Sequence, residues 1–241
     1  MNPIFIDDLV RFGIERRKIH YIPNYVSKES FYQESEEKVL TVKQRYDIDK
    51  DAFVVFRGWA SFKREKEFKD FVEVAKMLPD ITFVWAGGFS FGKITDGYDE
   101  LKEIYQNPPS NVHFIGIVQR EEMNDIYNLA DILFMPSYNE LFPMAILEAV
   151  NSQKSLLLRD LELYKDILFN KYLSQNDNVQ FAKQIQELKD DSHLYQNINT
   201  IPKKLVNIIL KNMSKKCGKN FIVVFKKVVN KPLSIDEVID E

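Results

Sequence analysis

Along the chain, short apolar runs alternate with segments whose apolar residues return every three or four positions. "AFVVF" (52–56) is a compact, β-branched run of the kind that forms a buried strand. "EFKDFVEVAKML" (67–78) follows, with Phe68, Phe71, Val72, Ala75 and Leu78 at helical spacing. The alternation continues with a strand in "ITFVWAGG" (81–88), a polar helix near 97–106 and a strand in "VHFIGIV" (112–118). A helix over 120–129, a strand in "DILFMP" (131–136), a helix from about 142 and a strand in "SLLLR" (155–159) complete it. Upstream, residues 2–12 predict a helix, with Asn2 as N-cap, Pro3 in the first turn and Gly13 at the end. "KIHYI" (18–22) predicts a short strand stopped by Pro23-Asn24, and a helix is expected from Glu36 to Tyr46. About six buried strands, separated by helices, imply right-handed crossovers and helices on both faces of a mostly parallel sheet. The fold class is therefore α/β, a Rossmann-like doubly wound layout. After residue 177 the pattern becomes helical.

Composition narrows the class. The 241 residues, 45% hydrophobic and 29% charged, suit a folded chain of one large or two small domains. A net charge of -3 lacks the basic footprint of a nucleic-acid-binding domain. The single Cys217 excludes an internal disulfide and fits a reducing compartment. No run approaches the ~18 apolar residues of a membrane span, and the N-terminus reads as no signal peptide. A cytoplasmic location is the expectation. Between Lys203 and Lys231 stand nine lysines and no acid, with Leu205, Val206, Ile208, Ile209 and Met213 roughly on one face. Either a solvated basic tail or a membrane-surface helix fits that pattern, so peripheral contact at the inner face of the membrane stays open.

The stretch "SYNELFPMAILEAV" (137–150) carries the candidate chemistry. Ligands of a doubly wound sheet bind outside the carboxyl ends of its strands, and this loop follows the strand ending at Pro136. Pro143 suits the first residue of the next helix, which leaves Glu140 in the loop and Glu148 inside the helix. The N–H groups of Phe142, Met144 and Ala145 would open toward the same crevice, and a helix N-terminus suits a phosphate. Two carboxylates repel phosphate but accept hydrogen bonds from hydroxyls, so the arrangement suggests a nucleotide-sugar pocket. The alternative is a capped surface helix with a solvated Glu148. Other constellations carry less. "DID" (47–49) sits between a helix and a strand and reads as a chance D-x-D. His20, His113 and His193 are scattered, and no phosphate-loop or dinucleotide fingerprint occurs. No metal site is expected. Trp59 and Trp85 read as core.

"PSYNELFPMAILEA" resembles the E-x7-E motif of the retaining GT-B glycosyltransferases of family 4, in particular the diacylglycerol glucosyltransferases of Gram-positive bacteria. "DLVRFGIERRKIHYIPNYV" (8–26), "FVEVAKMLPDITFVWAGGFSFGKITDGY" (71–98), "NVHFIGIVQREEMNDIYNLADILFMPSYNELFP" (111–143) and "LRDLELYKDIL" (158–168) agree with it. The resemblance implies the C-terminal half of a GT-B fold: a nucleotide-sugar-binding domain over 1–190 and a basic extension over 191–241. It implies a metal-independent hexosyl transfer from a UDP-sugar, with retention, to a lipid or glycan acceptor. Carried over by position, Glu148 would bind the ribose hydroxyls and Glu140 the donor sugar. The main chain at Phe142, Pro143, Met144 and Ala145 would meet the phosphates and sugar, and that at Ile117 and Val118 the uracil. The Gly87-Gly88 turn would allow a close approach to the ligand. Lys66 would neutralise the diphosphate, or Lys63 or Arg64 in a slipped register.

Three departures from the family pattern stand out. The family's acceptor-binding N-terminal domain is expected to be absent from this chain, and a separate acceptor domain is then an expected partner. Glu65 and Glu67 stand where the family carries Arg and Gly, and acids beside a diphosphate oppose binding. "NSQKS" (151–155) replaces a Gly-x-Pro turn. These departures motivate the rival expectation of a non-catalytic remnant or binding subunit.

Overall fold

The computed structural model describes residues 5–19, 24, 26–58, 65–88, 98–140 and 144–209. Six parallel strands form one sheet: β1 (Val54–Arg57), β2 (Thr82–Ala86), β3 (Val112–Gly116), β4 (Ile132–Met135), β5 (Ser155–Arg159) and β6 (Leu173–Gln175). Their order across the sheet is β3-β2-β1-β4-β5-β6. β1, β4 and β5 are buried at every residue, as strands covered on both faces must be. Side chains alternate between two cores. Val54 and Phe56 enter one, with Leu133, Tyr127 and Ile146, and Val55 enters the other, with Phe71, Phe83 and Phe181.

The described helices are α1 (Phe5–Arg11), α2 (Glu36–Arg45), α3 (Glu65–Met77), α4 (Tyr98–Gln106), α5 (Met123–Leu129), α6 (Met144–Asn151), α7 (Glu162–Leu168), α8 (Asn178–Asp190) and α9 (Ser192–Asn199). α3 buries Phe68, Phe71, Val72 and Ala75, the positions that the spacing marks out. Side chains close several helix ends. Ser35 and Asp177 accept from the main-chain N–H of Lys38 and Gln180, at 3.3 and 2.9 Å. Asn111 Nδ2 lies 3.0, 2.9 and 2.9 Å from the carbonyls of Ala75, Leu78 and Ile81, tying the end of α3 to the start of β3.

Of the expected strand "KIHYI", Lys18 belongs to a 3-10 turn and residues 20–22 lie outside the described residues; the sixth strand of the sheet is β6. At three residues and half-buried throughout, β6 is too short for periodicity to reveal. The segment 120–129 opens with a 3-10 turn over Arg120–Glu122 before α5 begins. Trp85 is in the core, whereas Trp59 lies outside the described residues. Residues 201–209 are helical, and Leu205 is fully buried with Val206 and Ile209 against the same core. That part of the apolar stripe therefore faces protein. Its continuation to Met213 and the lysines beyond lie outside the described residues. Among those described, no helix is long and apolar enough to cross a membrane.

Replacing Asn111 with alanine leaves carbonyls at the end of α3 without their donor. Urea unfolding should show a loss of about 1–3 kcal/mol, and an unchanged midpoint would mean that water replaces the amide without cost.

Candidate functional site

The chain lays down β1, β2 and β3 in one direction, then returns to place β4 on the other side of β1. At such a reversal the crossovers leave neighbouring strands on opposite faces, and doubly wound sheets bind ligands there, outside the strands' carboxyl ends. Four segments reach that edge: Gly58 after β1, Gly87-Gly88 after β2, Ile117-Val118 after β3 and residues 136–140 after β4.

Two of the expected contact segments are neighbours. Gly87 has φ 148°, a conformation that side chains rarely adopt, and its N–H donates to the Gly116 carbonyl at 2.8 Å. A Cβ built on Gly88 would lie 3.4 Å from Ile117 Cγ1, so the two turns are in contact. Ile117 is 68% exposed while Val118 is buried in the core.

Glu148 lies one turn inside α6 and is only 4% exposed. A buried carboxylate needs partners. Tyr127 Oη donates to one oxygen at 2.9 Å and Arg120 Nη1 to the other at 3.1 Å. Burial, and then the adjacent Glu148 carboxylate, raise the Tyr127 phenol well above its ordinary pKa, so the hydroxyl remains a donor. Arg120 comes from the turn after β3, with its guanidinium 5.4 Å from the Phe31 ring centre and its side chain half exposed. A carboxylate has about four acceptor positions. Two donors therefore leave Glu148 with capacity for ligand hydroxyls.

Glu140 is half-buried and follows a stretch, residues 136–138, in which each residue is bonded to other elements. Arg159 Nε donates to the Pro136 carbonyl at 2.9 Å. Ser137 Oγ donates to Glu67 Oε2 at 3.1 Å, and Arg57 Nη2 approaches both, at 3.4 and 3.1 Å. Tyr138 Oη donates to Asp70 Oδ2 at 2.7 Å, with the Arg159 guanidinium 3.8 Å above the tyrosine ring. Burial, followed by the Asp70 hydrogen bond and charge, raises the Tyr138 pKa as well.

The pairing of Glu67 corrects one expectation. In the sequence it is an acid set against a diphosphate. In the structure its side chain is 5% exposed and ion-paired with Arg57, itself 4% exposed, so the charge is offset inside the protein. The structure also locates the replaced Gly-x-Pro turn. Gln153 takes the left-handed conformation, φ 59°, and the N–H groups of Lys154 and Gln153 reach the carbonyls of Ala149 and Val150 at 2.8 and 3.1 Å. This is a Schellman closure of α6, made without glycine.

Met144 and Ala145 open α6 and are half-buried. Lys63, Arg64, Phe142 and Pro143, and the side chain of Lys66 in the first turn of α3, lie outside the described residues. Sequence reasoning missed Arg57, Tyr127, Arg120, Asp70 and Arg159. Arg57 and Arg159 each end a strand directly after a run of apolar residues, and that was the available signal. Among the described residues no group of three His, Cys, Asp or Glu side chains could hold a metal ion.

Comparison with known proteins bears on the family and the fold. The family described as glycosyl transferases group 1 matches residues 39–205. An alpha-galactosylglucosyldiacylglycerol synthase of Streptococcus pneumoniae is 42% identical over 85% of this chain and 54% of its own length. A processive diacylglycerol alpha-glucosyltransferase of Acholeplasma laidlawii is 31% identical over 69% of this chain and 50% of its own. The chain thus spans about half the length of these curated relatives. Among solved structures, Anabaena HepE in complex with UDP and glucose superposes with a TM-score of 0.69 at 17% identity, over 89% of this chain and 57% of that one. The C-terminal domain of a glycosyl transferase group 1 protein from Francisella tularensis superposes with a TM-score of 0.60 at 22% identity, over 76% of this chain and 97% of that domain.

The α6 turn generates two tests. Gln153→Gly should raise the urea midpoint, because a left-handed side-chain residue costs about 1–2 kcal/mol. A lowered midpoint would show that the glutamine side chain contributes more than the strain costs. Lys154 Nζ donates to the Asn128 carbonyl at 3.1 Å, and burial lowers its pKa from 10.5 to about 8. Between those values the unfolded chain binds the extra proton. Stability should therefore rise with pH from about 8 toward 10.5, by at most about 1.4 kcal/mol per pH unit. Urea titrations of the wild type and Lys154→Met across that range check the slope, and parallel profiles would refute it.

Proposed function

The chain belongs to the group 1 glycosyl transferases, and on that premise we propose that it supplies the donor-binding half of a retaining hexosyltransferase that takes a UDP-sugar. Its fold is that of the C-terminal, Rossmann-like half of a GT-B enzyme. The observation that carries the reading is the placement of Glu148. A buried carboxylate, held by Tyr127 and Arg120 at the reversal point of the sheet, retains acceptor capacity where a nucleotide's hydroxyls would lie.

In this reading Glu148 accepts from the two ribose hydroxyls, and the turns at Gly87-Gly88 and Ile117-Val118 flank the uracil. Glu140 accepts from hydroxyls of the hexose. The leaving diphosphate lies between the start of α3, with Lys66, and the start of α6, around Phe142, Pro143, Met144 and Ala145. Fixed positive charge and main-chain N–H groups stabilise the charge that develops there, without reorganisation and without a metal ion. Lys63 and Arg64 are further candidates for that role. The names of the two relatives, both concerned with diacylglycerol glycosides, support a lipid acceptor. A lipid acceptor in turn favours work at the inner face of a membrane. Because the chain spans about half of each relative, acceptor binding is assigned to a separate domain.

Isothermal calorimetry tests the donor site. Wild-type chain should bind UDP and UDP-glucose. Glu148→Gln should weaken both about tenfold or more, since a charge-assisted hydrogen bond contributes on the order of 1.5–3 kcal/mol. Glu140→Gln should weaken UDP-glucose alone. A folded chain that binds neither ligand at millimolar concentration refutes the reading.

A further inference from the structure

Two buried ion pairs converge on the loop that carries Glu140, and the proposed chemistry does not use them. Arg57 ends β1 and pairs with Glu67, with side chains 4% and 5% exposed. Arg159 ends β5 and pairs with Asp70 at 2.9 Å, with side chains 7% and 14% exposed. Both acids belong to one helix, α3, at i and i+3, so they share a face. That face points at the β4–α6 loop. Each pair holds one hydroxyl of the loop, Ser137 on Glu67 and Tyr138 on Asp70, and Arg159 also holds the Pro136 carbonyl. Asn178, at the start of α8, donates to the second Asp70 oxygen at 3.1 Å.

Stability alone is a poor account of these pairs. Removing two charges from water costs about as much as their attraction returns, so apolar residues of similar volume would hold the layers at least as well. Arg57 makes the point, because its Nε is buried without a hydrogen-bond partner among the described residues. A guanidinium paired with a carboxylate offers direction instead, since each acceptor oxygen has a defined place. Loops at the carboxyl ends of strands are ordinarily the variable part of such a fold. Here three successive residues, Pro136, Ser137 and Tyr138, are each bonded to side chains from other elements, and Glu140 follows two positions later.

We propose that Arg57–Glu67 and Arg159–Asp70 are positioning residues for the donor sugar: through Ser137 and Tyr138 they set where Glu140 stands, and so govern recognition of the hexose rather than of the nucleotide. This rests on the donor-site reading above. At the nucleotide end Glu148 is bonded by Tyr127 of α5 and by Arg120, and among the described residues neither donor bonds to residues 136–140. A shift of the loop therefore falls on the sugar. Displacement of a contact residue by about 1 Å can cost up to about a hundredfold where geometry matters.

The test uses two variants that remove a loop hydroxyl and leave both ion pairs in place, Ser137→Ala and Tyr138→Phe. Calorimetry on the full chain compares UDP-glucose with UDP, and thermal unfolding confirms that each variant is folded. The expected result is a loss of about tenfold in UDP-glucose affinity for each variant, with UDP unchanged within about twofold. A purely structural staple would move the melting point without separating the two ligands. UDP-glucose binding unchanged in either variant, or both ligands weakened alike, overturns the proposal while leaving the donor site intact. Wild-type chain that binds neither ligand overturns the donor site itself, and this inference with it.

Discussion

Everything at the site depends on one constraint, the burial of a parallel sheet on both faces. Parallel neighbours cannot be joined by a tight turn, so each connection must cross over a face as a helix. A chain that covers both faces must reverse its direction of travel once. Here it does so between β3 and β4, which leaves β1 and β4 side by side. No binding residue is needed to make the crevice. The residues that line it are those that follow β1, β2, β3 and β4.

Within that edge, charge is placed according to what each group must do. Glu148 is buried, yet its donors are a phenol and a half-exposed guanidinium, which leaves it able to accept more. Glu67 and Asp70 are paired at close range with buried guanidinium groups and tie helix α3 to the loop after β4. The opposite edge of the sheet is handled differently. Asp131 accepts from the N–H of Val54 at 2.7 Å and from the Tyr195 hydroxyl at 2.8 Å, and Lys43 Nζ donates to the carbonyls of Lys50 and Ala52. There the polar groups satisfy the main chain and close the layer. The contrast follows from topology, since only the carboxyl edge has the reversal point.

Glu67 shows how a local rule can mislead. An acid beside a diphosphate is unfavourable as long as its charge reaches the ligand. Its effect vanishes when a neighbour on an adjacent strand neutralises it, and that neighbour is ten residues away in sequence. The α6 turn is similar. The absence of Gly-x-Pro after Glu148 suggests a disturbed loop, but Gln153 accepts the left-handed conformation and the same closure forms. The cost is a local strain in the backbone.

Periodicity and the E-x7-E spacing were enough to determine the α/β class, five of the six strands, the helix that buries Phe68 and Phe71, and the placing of Glu140 before a helix that contains Glu148. These are properties of neighbours in sequence: alternation, helical spacing, and a proline that separates a loop from a helix. β6 escaped because three half-buried residues carry no period. Tertiary structure alone decided which charges meet. Arg57 with Glu67, Arg159 with Asp70, and Tyr127 with Glu148 join residues on different elements, 10, 89 and 21 positions apart. Such pairs depend on the order in which strands are laid beside one another, and that order is fixed by the crossovers rather than by any local pattern.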